Sequence, residues 1–243
     1  MPFLATVTTK DETVRQDVYP FCIPALREGK LTLSFSRNVA FFVGENGTGK
    51  STVLEAIAIR CGFNPSGGSR NNVYDYRHTE SPLSDALRLS WRRKTNRGFF
   101  LRAETFFNFA SYLDDLQGEL PGENVYRPYG NASLHTISHG ESFLRLFQHR
   151  FEEGIFLLDE PEAALSPTRQ LTFLSLLHQM EQSPKSQFII ATHSPILLAY
   201  PNASIHQFTA DGVHTVRYED TEHYRVTKDF LDCPERFFRH LFP

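Results

Sequence analysis

Gly44-Glu45-Asn46-Gly47-Thr48-Gly49-Lys50-Ser51 constrains this chain more than any other stretch, because it satisfies G-x-x-x-x-G-K-[ST] between two segments of opposite periodicity. Before it, Ala40 to Val43 is apolar without alternation, as a strand buried on both faces requires. After it, Val53, Leu54, Ile57 and Ala58 recur at helical spacing until Gly62. A strand, a glycine loop and a helix in this order turn backbone N–H groups inward around phosphate oxygens, and the helix N-terminus adds partial positive charge. Gly44 to Thr52 is therefore the expected nucleotide-binding stretch. Lys50 would bridge the outer phosphates and the Ser51 hydroxyl would ligate Mg²⁺.

Two further segments end in chemistry. Ile155-Phe156-Leu157-Leu158 reads as a buried strand and runs into Asp159-Glu160. In an open parallel sheet the C-terminal strand ends face the ligand, so Asp159 is expected to hold Mg²⁺ and Glu160 to act as the general base on water. Phe188 to Ala191 reads as another strand and ends in Thr192-His193-Ser194-Pro195. At the same sheet edge, the His193 imidazole would hydrogen-bond the terminal phosphate.

The rest supplies the frame. Leu31 to Phe35 and Asn38 to Val43 read as adjacent strands. Ala86 to Trp91 and Gly98 to Ala103 read as strands flanking a polar turn at Lys94 to Arg97, with a helix from Glu104 to Leu116. Asn64 to Ser69 and Gly118 to Gly130 carry the Gly and Pro of linkers. Helices are expected over Glu141 to Glu153 and Pro167 to Gln182, the latter joining two strands as a parallel crossover. Two strands, Ser204 to Phe208 and Val213 to Tyr218, precede an amphipathic helix reaching Phe242.

Composition narrows the class. With 243 residues, 40% hydrophobic and 22% charged, the chain can bury a large core, and it has no apolar run of the about 18 to 20 residues that span a bilayer. Cys22, Cys61 and Cys233 are odd in number and widely spaced, which fits neither a disulfide framework nor a zinc site and predicts a reducing, cytoplasmic setting. The net charge of −3 gives no global nucleic-acid footprint.

Together the loop, the acidic strand and the histidine resemble the ATP-binding cassette type of P-loop ATPase, over about Leu31 to Ser194. That resemblance directs attention to Ile137-Ser138-His139-Gly140-Glu141, where the family carries Leu-Ser-Gly-Gly-Gln. Ser138 and Gly140 match, while His139 and Glu141 depart in the manner of the stand-alone, SMC-related predicted AAA ATPases. The resemblance implies an α/β fold with a mostly parallel sheet flanked by helices, an antiparallel N-terminal β element and a helical subdomain. It implies one domain, with 1–62 and 141–243 as the core lobe and about 63–140 as an inserted β-hairpin and helical arm. It also implies a homodimer in which Ser138, His139, Gly140 and Glu141 close the ATP-Mg²⁺ site of the opposite chain. The family's sensor glutamine has no evident counterpart, and Glu104 is the substitute considered. Tyr19 lies where the family places an adenine-stacking aromatic, with core packing as the rival reading. By residue count Ser166 stands where the family has its cross-dimer Asp.

The implied function is an ATP-hydrolysing switch acting on a protein or nucleic acid, in repair or defence. The alternative is the ATP-binding subunit of a transporter. Two features bear on partners. Arg88, Arg92, Arg93, Lys94 and Arg97, with Arg102 beyond them, occur without acidic residues and with Trp91, Phe99 and Phe100 interleaved. Such a row is either a solvated hairpin face or a DNA- or RNA-binding ridge. Among the 22 Phe, Phe99, Phe100, Phe106, Phe107 and Phe109 crowd the expected arm, where an exposed patch would favour protein docking.

Overall fold

The computed structural model describes residues 1–10, 18–26, 30–70, 81–120, 122–151, 153–182 and 185–242. Its main element is a six-stranded sheet in the order β5-β6-β7-β3-β8-β9. The strands are β3 (Val39–Val43), β5 (Gly98–Arg102), β6 (Gly154–Asp159), β7 (Ser186–Ala191), β8 (Ala203–Thr209) and β9 (Gly212–Val216). All neighbours pair in parallel except β8 and β9, which form an antiparallel edge. Beside it lies an antiparallel three-stranded sheet, β2-β1-β4, made of β1 (Leu4–Thr9), β2 (Thr32–Ser34) and β4 (Leu87–Trp91).

Period-two alternation explains how the central strands bury both faces. Ala40, Phe42, Ile155, Leu157, Ile189 and Ala191 enter one core, with α1 (Lys50–Cys61), the short α2 (Pro82–Ala86) and the small sheet. Val39, Phe41, Val43, Phe156, Leu158, Phe188 and Ile190 enter the other. That second core is closed by α3 (Phe106–Glu119), α4 (His139–Arg150), α5 (Pro167–Glu181) and the short α6 (Pro195–Leu198). Phe147, Phe151, Phe156, Phe173 and Phe188 pack ring to ring within it. The chain ends in α7 (Glu222–Asp232) and α8 (Pro234–Leu241), neither of which buries a residue.

The expected α/β class, parallel sheet, antiparallel N-terminal element and helical part are all present. Several pairings differ from expectation. β2 and β3 are consecutive but belong to different sheets, and so do β4 and β5, so no hairpin joins Trp91 to Gly98. β4 alternates in burial and suits a half-covered sheet, whereas the central residues of β5 are wholly buried and suit a two-sided one. Because β5 pairs with β6 residue for residue from Gly98–Ile155 to Arg102–Asp159, the expected insertion over 63–140 contributes a strand to the core lobe. The C-terminal helix is broken into two, with Pro234 opening the second. Within the expected helix over Glu141 to Glu153, Glu152 lies outside the described residues.

Burial bears on both candidate partner surfaces. Phe99, Phe100, Phe106 and Phe109 are core residues, and only Phe107 of that group is exposed. In the basic row, Trp91 packs partly buried against the first core, and Phe99 and Phe100 are fully buried, so those two rings cannot stack on bases. Arg93 and Arg97 both pair with Glu153, at 3.5 and 2.6 Å, and Arg93 also lies over the Phe3 ring. Arg92 donates to the Phe35 carbonyl (3.0 Å), and Arg88, Arg92, Arg93, Lys94 and Arg97 are all exposed. Among the described residues no helix is long and apolar enough to cross a membrane.

Candidate active site

The C-terminal ends of β3, β6 and β7 carry the loop, the acidic pair and the histidine, so the sheet itself brings the three motifs together. Two loop glycines are needed by their surroundings. Gly44 has φ 147°, and a Cβ there would sit 2.3 Å from the Phe208 carbonyl oxygen on β8. Gly49 has φ 103°, and its Cβ would strike Ile23 at 2.3 Å. Lys50 curls over the loop and donates from Nζ to the Gly44 and Glu45 carbonyls (2.7 and 3.0 Å). Thr48 Oγ1 also donates to the Glu45 carbonyl, at 2.8 Å. Gly49 is the N-cap of α1, and no side chain caps that end, which leaves the first-turn N–H groups for a ligand.

Below the loop, the Ser51 hydroxyl donates to Asp159 Oδ1 at 2.8 Å. Asp159 is buried, and desolvation pushes its carboxyl up to about 6 against the downward pull of Arg102 and Ser51. Arg102 reaches in from the end of β5. Its Nε lies 3.3 Å from Asp159 Oδ2 and its Nη1 is 2.7 Å from Glu55 Oε2. Arg102 thus belongs to this site rather than to the basic row. Burial lowers the Lys50 ammonium, with Glu160 the foremost of the carboxylates opposing that shift.

Glu160 adopts left-handed backbone angles, φ 51° and ψ 52°, immediately before Pro161. For a non-glycine residue this costs about 1 to 3 kcal/mol, a strain usually met where a side chain must be aimed. Its N–H donates to the Ala191 carbonyl at 2.9 Å, which holds the turn against β7. Glu160 Oε1 faces His193 Nε2 at 3.7 Å. The backbone N–H of His193 donates to the half-buried Glu162 carboxylate (2.6 Å), and the ring nitrogen Nδ1 meets Nε2 of His223 at 2.9 Å. Burial holds His193 below the usual imidazole range, with Lys50 next in effect.

Ser138 is the N-cap of α4, but its hydroxyl does not cap the helix; it accepts from Arg169 Nη1 at 2.9 Å. Gly140 is pressed against the same guanidinium and the Ala164 carbonyl, where a Cβ would find atoms at 2.6 and 2.8 Å. His139 stacks near Phe107, and Glu141 sits in the first turn of α4. Ser166 is the N-cap of α5. Glu104 follows β5, exposed, and its charge helps raise Asp159. Tyr19 is not in the core: it is 67% exposed and lines a cavity of about 380 Å³ with Ser51, Thr52, Glu55 and Arg102.

Sequence reading had missed Glu162 and His223 and had assigned Arg102 elsewhere. Glu162 stands two residues past the acidic pair and could have been suspected. His223 lies 30 residues beyond His193 in an amphipathic helix and carries no local signal.

The donors suit ATP with Mg²⁺: an uncapped helix start, glycines whose Cβ positions are filled, and a hydroxyl beside a buried, desolvated carboxylate. Among the described residues there is no group of three or more His, Cys, Asp or Glu that could hold a metal ion.

Fold and loop define an α/β P-loop NTPase of ABC ATPase architecture. Within that class, two AAA-domain family models match the chain, one over residues 21–112 and one over 139–199. The second is described as "AAA domain, putative AbiEii toxin, Type IV TA system". A metal-chelate-type ABC transporter in an inward-facing conformation aligns with TM-score 0.54 at 15% identity, over 92% of this chain and 88% of that one. A part of an ABC transporter complex from Clostridium perfringens aligns with TM-score 0.52 at 17% identity, over 97% of each chain. The ADP conformation of an ATP-binding cassette of an ABC transporter aligns with TM-score 0.52 at 15% identity, over 100% of both chains. Among curated proteins no relative matches. These matches bear out the resemblance to ABC-type, AAA-domain ATPases and support nucleotide binding and hydrolysis.

Proposed function

We propose that the chain is an ATP-hydrolysing switch that pairs head to tail with a second copy around two ATP-Mg²⁺. The observation that carries this reading is the convergence of Ser51, Asp159, Glu160 and His193 beneath an uncapped P-loop helix. In the reaction, Lys50 leaves the Gly44 and Glu45 carbonyls to hold the outer phosphates, while the α1 N–H groups take the inner ones. Ser51 and Asp159 would hold Mg²⁺, which would supply positive charge against the phosphates. Glu160 accepts a proton from the attacking water, and His193 donates a hydrogen bond from Nε2 to the terminal phosphate. Tyr19, exposed beside Ser51 and Thr52, gives the adenine a face to stack on.

The trans half of the site is Ser138 to Glu141. With the Ser138 hydroxyl turned to Arg169, the start of α4 offers backbone N–H groups to a phosphate presented by the other chain. The toxin–antitoxin description of the second family model favours defence over transport. Mg²⁺ and a second chain are parts of this reading, as is action on a protein or nucleic-acid partner.

Replacing Lys50 with Ala removes a charge-assisted bridge worth about 1.5 to 3 kcal/mol, so ATP affinity should fall about 10- to 100-fold. Calorimetric titration of ATP into both proteins checks this. Equal affinities would remove the loop from the binding site.

A further inference from the structure

His193 and His223 share one hydrogen bond, and only one of them can be its donor. Nδ1 of His193 and Nε2 of His223 are 2.9 Å apart, with ring centroids 5.0 Å apart. Burial lowers both imidazoles, so each is neutral near pH 7 and carries a single N–H. Were His193 to donate from Nδ1, its bare Nε2 would confront Glu160 Oε1 at 3.7 Å, two acceptors face to face. With His223 as donor, the His193 proton sits on Nε2 and points toward that carboxylate. Nε2 of His193 is moreover buried and has no hydrogen-bond partner, as suits a donor kept for a ligand.

The position of His223 is held from its own side of the chain. Thr221, fully buried, caps α7 by accepting from the Tyr224 N–H (3.3 Å). Tyr218, just upstream, donates its hydroxyl to the Pro195 carbonyl (2.9 Å), two residues beyond His193. The C-terminal segment is thereby tied to the turn it supports.

We propose that His223 is a positioning residue for His193: by donating from Nε2 to Nδ1 it fixes the tautomer that presents an Nε2–H donor to the terminal phosphate. This inference rests on the proposed function and names a residue that function did not include. It also makes the first turn of α7 part of the nucleotide site.

The test uses the full chain labelled with ¹⁵N in its histidine rings, without nucleotide, and reads which nitrogen of His193 carries hydrogen. Nε2 is expected. His223→Glu, which can only accept, should move the proton to Nδ1, while His223→Gln, which can donate, should keep it on Nε2. Both residues are tolerated in the first turn of a helix. A His193 protonated on Nδ1 in the unaltered protein overturns the proposal. In turnover, His223→Glu should lower kcat about tenfold or more with KM little changed, and His223→Gln should recover most of that loss. In an unaltered chain that turns over ATP, equal kcat for the Glu and Gln variants would also overturn it. Because the spectra need no ATP, they test the positioning even if the chain hydrolyses nothing, an outcome that would sink the proposed function alone.

Discussion

Glu160→Gln is expected to lower kcat for ATP hydrolysis about 10²- to 10⁴-fold, with ATP affinity within about threefold of the unaltered protein. Glutamine keeps the shape and the left-handed turn before Pro161 but cannot take a proton from water. The backbone bond from residue 160 to the Ala191 carbonyl is untouched, so the site should stay assembled. Single-turnover rates beside equilibrium ATP binding separate the two effects. A rate that survives the change would assign proton transfer elsewhere and leave Glu160 a strained turn without catalytic work.

Asp159→Asn should separate stability from activity. The native carboxyl takes its proton near pH 6 rather than at the ordinary 3.8, because burial outweighs the help of Arg102 and Ser51. Between those values the native state binds more protons than the unfolded chain, so stability without metal falls as pH rises through that window. Above it the charged carboxyl costs about 3 kcal/mol. The neutral amide escapes this cost, and Arg102 retains Glu55 as its partner at 2.7 Å. The variant should therefore melt about 5 to 10 °C higher at pH 7.5 without nucleotide. Its Mg²⁺-dependent turnover should fall about 10²- to 10³-fold, since an amide neutralises no cation. Thermal melts across pH 4 to 8 check the sign: the gap between the two proteins should close toward pH 4. A variant that melts lower at pH 7.5 would show that Asp159 is well satisfied without metal.

How much of this was legible depends on the reach of each signal. The loop, its strand and its helix occupy 23 consecutive residues from Val39 to Cys61, and every clue to them is local. Asp159, Glu160 and His193 were legible because the apolar runs before them identify strand ends, and parallel strands place those ends at one edge. Pairing was not legible. Five-residue strands such as β4 and β5 do not encode their partners, and here neighbours in sequence lie in different sheets. Burial was legible only on average: the crowding of Phe99 and Phe109 in the sequence does not say whether they face solvent, and α3 covers both in the second core. Arg102 was grouped with its basic neighbours because charge clustering is read along the chain, whereas its role comes from registering with Asp159 across β5 and β6. His223 depends on the return of the chain from β9, which no spacing rule supplies.

The central claim is a nucleotide site completed by a second copy of the chain, and light scattering on Glu160→Gln tests it most directly. With saturating Mg-ATP the protein should pass from the monomer mass of 27.9 kDa to about twice that value, and return when ATP is replaced by ADP. A Glu160→Gln protein that stays monomeric while calorimetry shows its ATP site full would contradict the account.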